Sequence, residues 1–96
     1  MNNSINNPSF IMISNNKKKI FKSPVDMAIY WELVNANLLN DEQIKLVKDI
    51  IYEYYLKEDV SFNPIKVAIY AAYALEELNF NDLLDKLNDK RFVLSI

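Results

Sequence analysis

The sequence predicts a mainly α fold, a compact bundle of about four helices arranged as two helical hairpins. Three observations predict it. Two apolar stretches each begin with a capping residue and proline, at Ser23-Pro24 and Asn63-Pro64. An amphipathic segment with helical spacing lies between them. The chain has 96 residues, 51% of them hydrophobic and 25% charged, which suits one domain with one core. An α+β alternative adds a small N-terminal β-hairpin and a C-terminal strand.

Residues 1–8 are polar, Asn-rich and without apolar periodicity, so they read as a disordered tail ahead of a single domain over 9–96. Ser9–Ser14 and Lys17–Lys22 flank Asn15-Asn16. Asparagine tolerates positive φ, so this pair can turn a hairpin. In that register Phe10 faces Phe21 and Ile11 faces Ile20, which matches apolar residues across both faces.

Ser23 can cap a free backbone donor, and Pro24 fits the first helical position because its missing N–H costs nothing there. The first helix should run to about Leu39. Its apolar residues, Trp31 among them, nearly encircle the axis, which predicts burial on more than one side. Asn40 with Gln43 forms a capping pair, and Asp41 and Glu42 suit the positive end of the helix dipole. The second helix extends to about Lys57. Ile44, Val47, Ile51, Tyr54 and Tyr55 make its inner stripe, and Lys45, Lys48, Asp49, Glu53 and Lys57 its outer side, with opposite charges four apart at Lys45/Asp49 and Glu53/Lys57.

A third, apolar helix follows Asn63-Pro64 and reaches Leu78, its alanines allowing close approach of neighbours. Asn81 should cap a short fourth helix carrying Leu83, Leu84 and Leu87. Arg91–Ile96 alternates Phe92, Leu94 and Ile96, and so reads either as a third strand beside the hairpin or as a docked extension of the last helix. The octapeptides SPVDMAIY (23–30) and NPIKVAIY (63–70) are alike. They read either as a duplication or as two buried helices started the same way; arrays of true repeats normally need three or more units.

Composition narrows the chemistry. There is no histidine, cysteine or glycine. Nucleophilic triads, thiolate or imidazole metal ligation and glycine-rich phosphate loops are therefore excluded, and no cofactor is implied. The 13 asparagines are left to serve the left-handed turns that glycine usually fills. Together with the Ile, Lys and Tyr content they suggest an AT-rich coding sequence. Paired carboxylates at Asp49/Glu53, Asp82/Asp85 and Asp85/Asp89 sit beside lysines and read as solvated helix faces, and Glu32, in an otherwise apolar helix, is the acid to inspect. No apolar run approaches the roughly 18 residues of a membrane span. A soluble, cytoplasmic, non-catalytic protein is expected.

Two groups of residues suggest binding. Lys17, Lys18, Lys19 and Lys22 concentrate positive charge, leaving seven basic against 13 acidic residues elsewhere, a net of −6. Such lysines can meet phosphates or an acidic protein surface, or guard a strand edge against aggregation. Tyr52 and Tyr55, at the end of the second helix, are of the type favoured in protein interfaces, although core packing is the stronger reading for Tyr55 and an equal one for Tyr52. The expected function is a protein–protein interaction module, a regulator or inhibitor of a larger protein, with self-association in the same class. The alternative is a nucleic-acid-binding accessory protein using Lys17–Lys22.

Overall fold

The computed structural model describes residues 10–14, 16–59 and 61–96. The tail expected over 1–8 lies outside them, as does Asn15 of the turn. Two antiparallel strands, β1 (Phe10–Ser14) and β2 (Lys17–Phe21), precede five helices, α1 (Pro24–Asn35), α2 (Asp41–Lys57), α3 (Pro64–Ala74), α4 (Phe80–Leu87) and α5 (Lys90–Leu94). The chain is mainly α with a small N-terminal hairpin. No helix of the described residues is long and apolar enough to cross a membrane.

The hairpin has the register read from the sequence, Phe10 opposite Phe21 and Ile11 opposite Ile20. Asn16 at φ 63° supplies its positive-φ residue. The helix starts follow their caps. Ser23 Oγ accepts the Asp26 N–H at 3.1 Å, and Asn63 Oδ1 accepts the Ile65 and Lys66 N–H groups at 3.0 and 3.2 Å. A reciprocal capping box joins Asn40 and Gln43, at 2.8 and 3.0 Å.

Three boundaries differ from expectation. α1 stops at Asn35 instead of Leu39 because Asn37 turns left-handed, φ 58°, the helix stop that glycine usually provides. α3 ends at Ala74, and the next residues tighten into turns with the Glu76 N–H on the Tyr73 carbonyl at 3.1 Å. α4 begins two residues early: Asn79, not Asn81, is its cap, with Oδ1 accepting the Asp82 N–H at 2.8 Å. Of the two readings of residues 91–96 the helical one is found and the strand is not. Asp89 Oδ1 caps the Arg91 N–H at 3.0 Å and starts α5, which buries Val93, the residue out of phase with the apparent alternation.

The two Pro-started helices pack directly against each other, as expected, and α1 and α3 both lie on α2. α4 packs on α2 and α5, so the second half of the chain does not repeat the first. Ile29 and Leu33, Val47 and Ile51, Ala68 and Ala71, and Leu83 and Leu87 are all fully buried. Each large apolar side chain removed from water in this way contributes about 1.5–3 kcal/mol. Ala68 and Ala71 present only methyl groups, which lets α3 lie close to its neighbours. α1 is not enclosed all round, for Trp31 is 50% exposed.

Candidate functional site

The basic hairpin is docked on α1 and α2 through a seam of cations and aromatic rings. Strand alternation decides which residues enter it, because residues directly opposite each other share a face. Phe10, Phe21, Met12 and Lys19 point inward, and Ile11, Ile20, Ile13 and Lys18 point outward.

On the inner side Phe21 is buried against Tyr30 of α1, ring centroids 5.1 Å apart and tilted by 49°. Lys19 Nζ lies 5.4 Å from the centre of the same tyrosine ring. Lys48 of α2 places Nζ 5.7 Å from the Phe21 ring and 3.0 Å from Asp26 Oδ1. Side-chain exposure is 14% for Lys48 and 2% for Asp26. The second carboxylate oxygen of Asp26 accepts the Lys22 N–H at 3.0 Å. One buried acid therefore ties the strand exit, the α1 cap and α2 together. Its negative charge also lies in the first turn of α1, where the helix dipole favours it.

Lys22 continues the seam, its Nζ 5.8 Å from the Tyr52 ring, which stands 5.9 Å from Tyr55. Lys19, Lys22, Tyr52 and Tyr55 are thus brought into one place, while Lys17 and Lys18 stand exposed on β2. The roles of the tyrosines are reversed from the stripe read in the sequence. Tyr52 is the core residue, 9% exposed, and Tyr55 lies at the surface, 38% exposed. Lys48, assigned to the outer side of α2, faces inward. Both changes have one cause: the buried face of α2 is centred on Ile44, Val47, Ile51 and Tyr52, so Lys48 falls on it.

Asp26 and Lys48 are the residues that sequence reasoning missed. The available signal was an acid three residues after the cap of an apolar helix, and a lysine one residue from Val47 and four from Ile44. Opposite charges on two apolar helix faces are a candidate buried pair.

The outward face of the hairpin is of another kind. Ile11, Ile20 and Ile13 are 46%, 65% and 74% exposed, with Lys18 opposite Ile13. The sheet has two strands, so each strand has one edge without a ladder partner among the described residues.

The other candidates are scattered. Glu32 is half-buried beside a shallow groove between α1 and α3. Asp49 lies 3.6 Å from Lys45 and 3.7 Å from Lys48, and Glu53 pairs with Lys57 at 3.1 Å on the surface. Asp82, Asp85 and Asp89 are exposed on and after α4. Among the described residues no three metal-ligating side chains converge. At the α2–α3 link, hydrogen bonds from the Ser61 hydroxyl (2.6 Å) and backbone N–H (2.9 Å) hold the Asp59 carboxyl below its ordinary pKa. That arrangement closes a turn on the surface. The seam itself can hold two elements together and set the direction of positive charge; it brings together no acid–base pair around a reactive atom.

No protein-family model, curated protein or solved structure is significantly similar to the chain. The functional reading therefore stands on these residues alone.

Proposed function

We propose that the chain is a non-catalytic protein-binding module, a regulator or inhibitor of a larger cytoplasmic protein, that binds through the outward face of its hairpin. One observation carries this reading: Ile11, Ile13 and Ile20 stand in solvent on the docked hairpin while its opposite face is committed to the core. Apolar surface of this kind is stabilised by about 25 cal/mol for each Å² that a partner removes from water. Lys18 on the same face adds electrostatic steering toward an acidic partner, and Lys17, exposed at the start of β2, raises the local positive charge. Tyr55, at the end of the seam on α2, supplies an aromatic contact farther along the same helix pair.

The test compares wild-type protein with the Ile13→Asp/Ile20→Asp double variant as immobilised bait in extract of the native cell. A partner retained by wild type and lost from the variant supports the reading. Equal retention by both refutes it.

Nucleic-acid binding is the second reading, and the exposure of Lys17 and Lys18 favours it, since neither forms an ion pair among the described residues. Lys19 and Lys22 are drawn toward aromatic rings, which leaves fewer charges for a phosphate backbone. This reading requires binding that weakens steeply with salt and falls when Lys17 and Lys18 become alanine. Fluorescence anisotropy on labelled single and double strands measures both.

A further inference from the structure

The groove between the C-terminal halves of α1 and α3 has the character complementary to the hairpin. Leu38, Ile69 and Tyr73 line it and are exposed, and Glu32 and Glu76 stand among them in a space of about 400 Å³. No lysine or arginine lines it, and neither glutamate forms an ion pair among the described residues. It is an apolar groove with unneutralised negative charge. The outward hairpin face is apolar with unneutralised positive charge at Lys18, while Lys17 is exposed at the start of β2 on the other face.

We propose that this groove receives the hairpin of a second copy of the chain, so that Ile13 and Ile20 of one copy meet Leu38, Ile69 and Tyr73 of the next, and Lys18, on the same face as those isoleucines, approaches Glu32 and Glu76. The inference rests on the reading of the hairpin's outward face as a protein-binding surface and names its partner. Charge complementarity selects this occupant. Pairing two hairpins would set lysines against their own images, and pairing two grooves would do the same with glutamates; both arrangements are repulsive. The unlike faces attract, and the distribution of charge along the chain runs the same way, four positive charges over 17–22 against a net of −6 elsewhere.

No residue lining the groove belongs to the hairpin. We take the contact to be head-to-tail, so that each copy that binds by its hairpin keeps a free groove for another; a reciprocal exchange of hairpins would instead close at the dimer. Such heterologous contacts generate rings or open chains, whereas a two-fold interface stops at the dimer.

Sedimentation of the full chain over about a 100-fold range of concentration should give a mean mass that rises above the 11.3 kDa monomer and does not level at the dimer. Two variants test the geometry. Ile13→Asp/Ile20→Asp removes the head and keeps the groove, and Glu32→Lys/Glu76→Lys inverts the groove and keeps the head. Each alone should sediment as a monomer. Their equimolar mixture should form a dimer and no larger species, because only one complementary pair of surfaces remains; raised salt should weaken it. That recovery also shows both variants to be folded, which circular dichroism checks independently. A mixture no more associated than its components overturns the proposal. So does a monomeric wild type, and if the hairpin variant still loses a captured partner in that case, the protein-binding reading survives without self-assembly.

Discussion

Replacing Lys48 by methionine tests the seam at its most buried point. Methionine keeps most of the apolar stem and removes the ammonium group, leaving the Asp26 carboxylate 2% exposed with the Lys22 N–H as its remaining seam partner. Breaking a buried pair from one side strands the other charge, which costs about 3–5 kcal/mol. The unfolding entropy of a chain this long is about 0.2 kcal/mol/K, so Tm should fall by about 15–25 °C. Asp26→Asn should be milder, at about 1–2 kcal/mol, because the amide oxygen still accepts the Lys22 N–H. Lys48 then keeps Asp49 at 3.7 Å. The double variant carries neither charge and should be more stable than Lys48→Met, a coupling of at least ~2 kcal/mol. Lys57→Met is the control, since its partner Glu53 is exposed and the pair is worth at most ~0.5 kcal/mol. Thermal and urea unfolding followed by far-UV circular dichroism measures all four. A Lys48→Met loss no larger than that of Lys57→Met, or strictly additive single effects, would refute the argument.

Phe21→Ala empties the hairpin's anchor and should cost about 3 kcal/mol. Amide exchange should then rise across β1 and β2 while α2 keeps its protection. Asn40→Ala removes the side-chain half of the α2 capping box and should lower stability by about 1 kcal/mol in urea unfolding, with an unchanged m-value. Asp59 has a lowered folded-state pKa, so its contribution to the turn is complete above the ordinary aspartate range and is lost as pH falls through the folded value. Carboxyl chemical shifts should titrate with a midpoint below 3.8, and Ser61→Ala should move that midpoint up toward it.

What could be read from the sequence was what local chemistry decides. A capping side chain followed by proline marks a helix start within a few residues of contact range, and both such starts, with the Asn40 capping box, stand where expected. The hairpin register followed from matching apolar residues across a turn that only asparagine could make. The errors concern residues whose fate depends on distant neighbours. Tyr52 and Tyr55 are three positions apart on one helix, and periodicity alone does not say which edge of the stripe meets the core. Lys48 looked like an outer residue because lysine is rarely buried without a partner, and its partner lies 22 residues away in sequence. The C-terminal alternation left a strand and a helical extension both open for a related reason. Phe92, Val93 and Ile96 also satisfy helical spacing, and Phe92 stacks edge-on against Tyr70 of α3, ring centroids 5.3 Å apart. That contact, together with the Asp89 cap, outweighs an apparent period of two.

The two similar octapeptides show most clearly where local likeness ends. Both start a helix at the same phase, yet α1 buries Asp26, Ile29, Tyr30 and Leu33, and α3 buries Pro64, Val67, Ala68 and Ala71. In the matched frame these sets are offset by two residues, about 200° around a helix, so the segments turn nearly opposite faces to the core. The one charge difference between them makes this testable. Asp26 and Lys66 occupy equivalent positions, third after the cap. Asp26→Lys would set two ammonium groups together in a buried site and should cost more than about 4 kcal/mol. Lys66→Asp places a negative charge in the exposed first turn of α3 and should stabilise by about 0.3–1 kcal/mol through the helix dipole. A duplication with equivalent packing requires the two exchanges to have comparable effects. Equal losses in thermal unfolding would therefore restore the symmetric reading, and opposite signs would show that the resemblance stops at the way the helices begin.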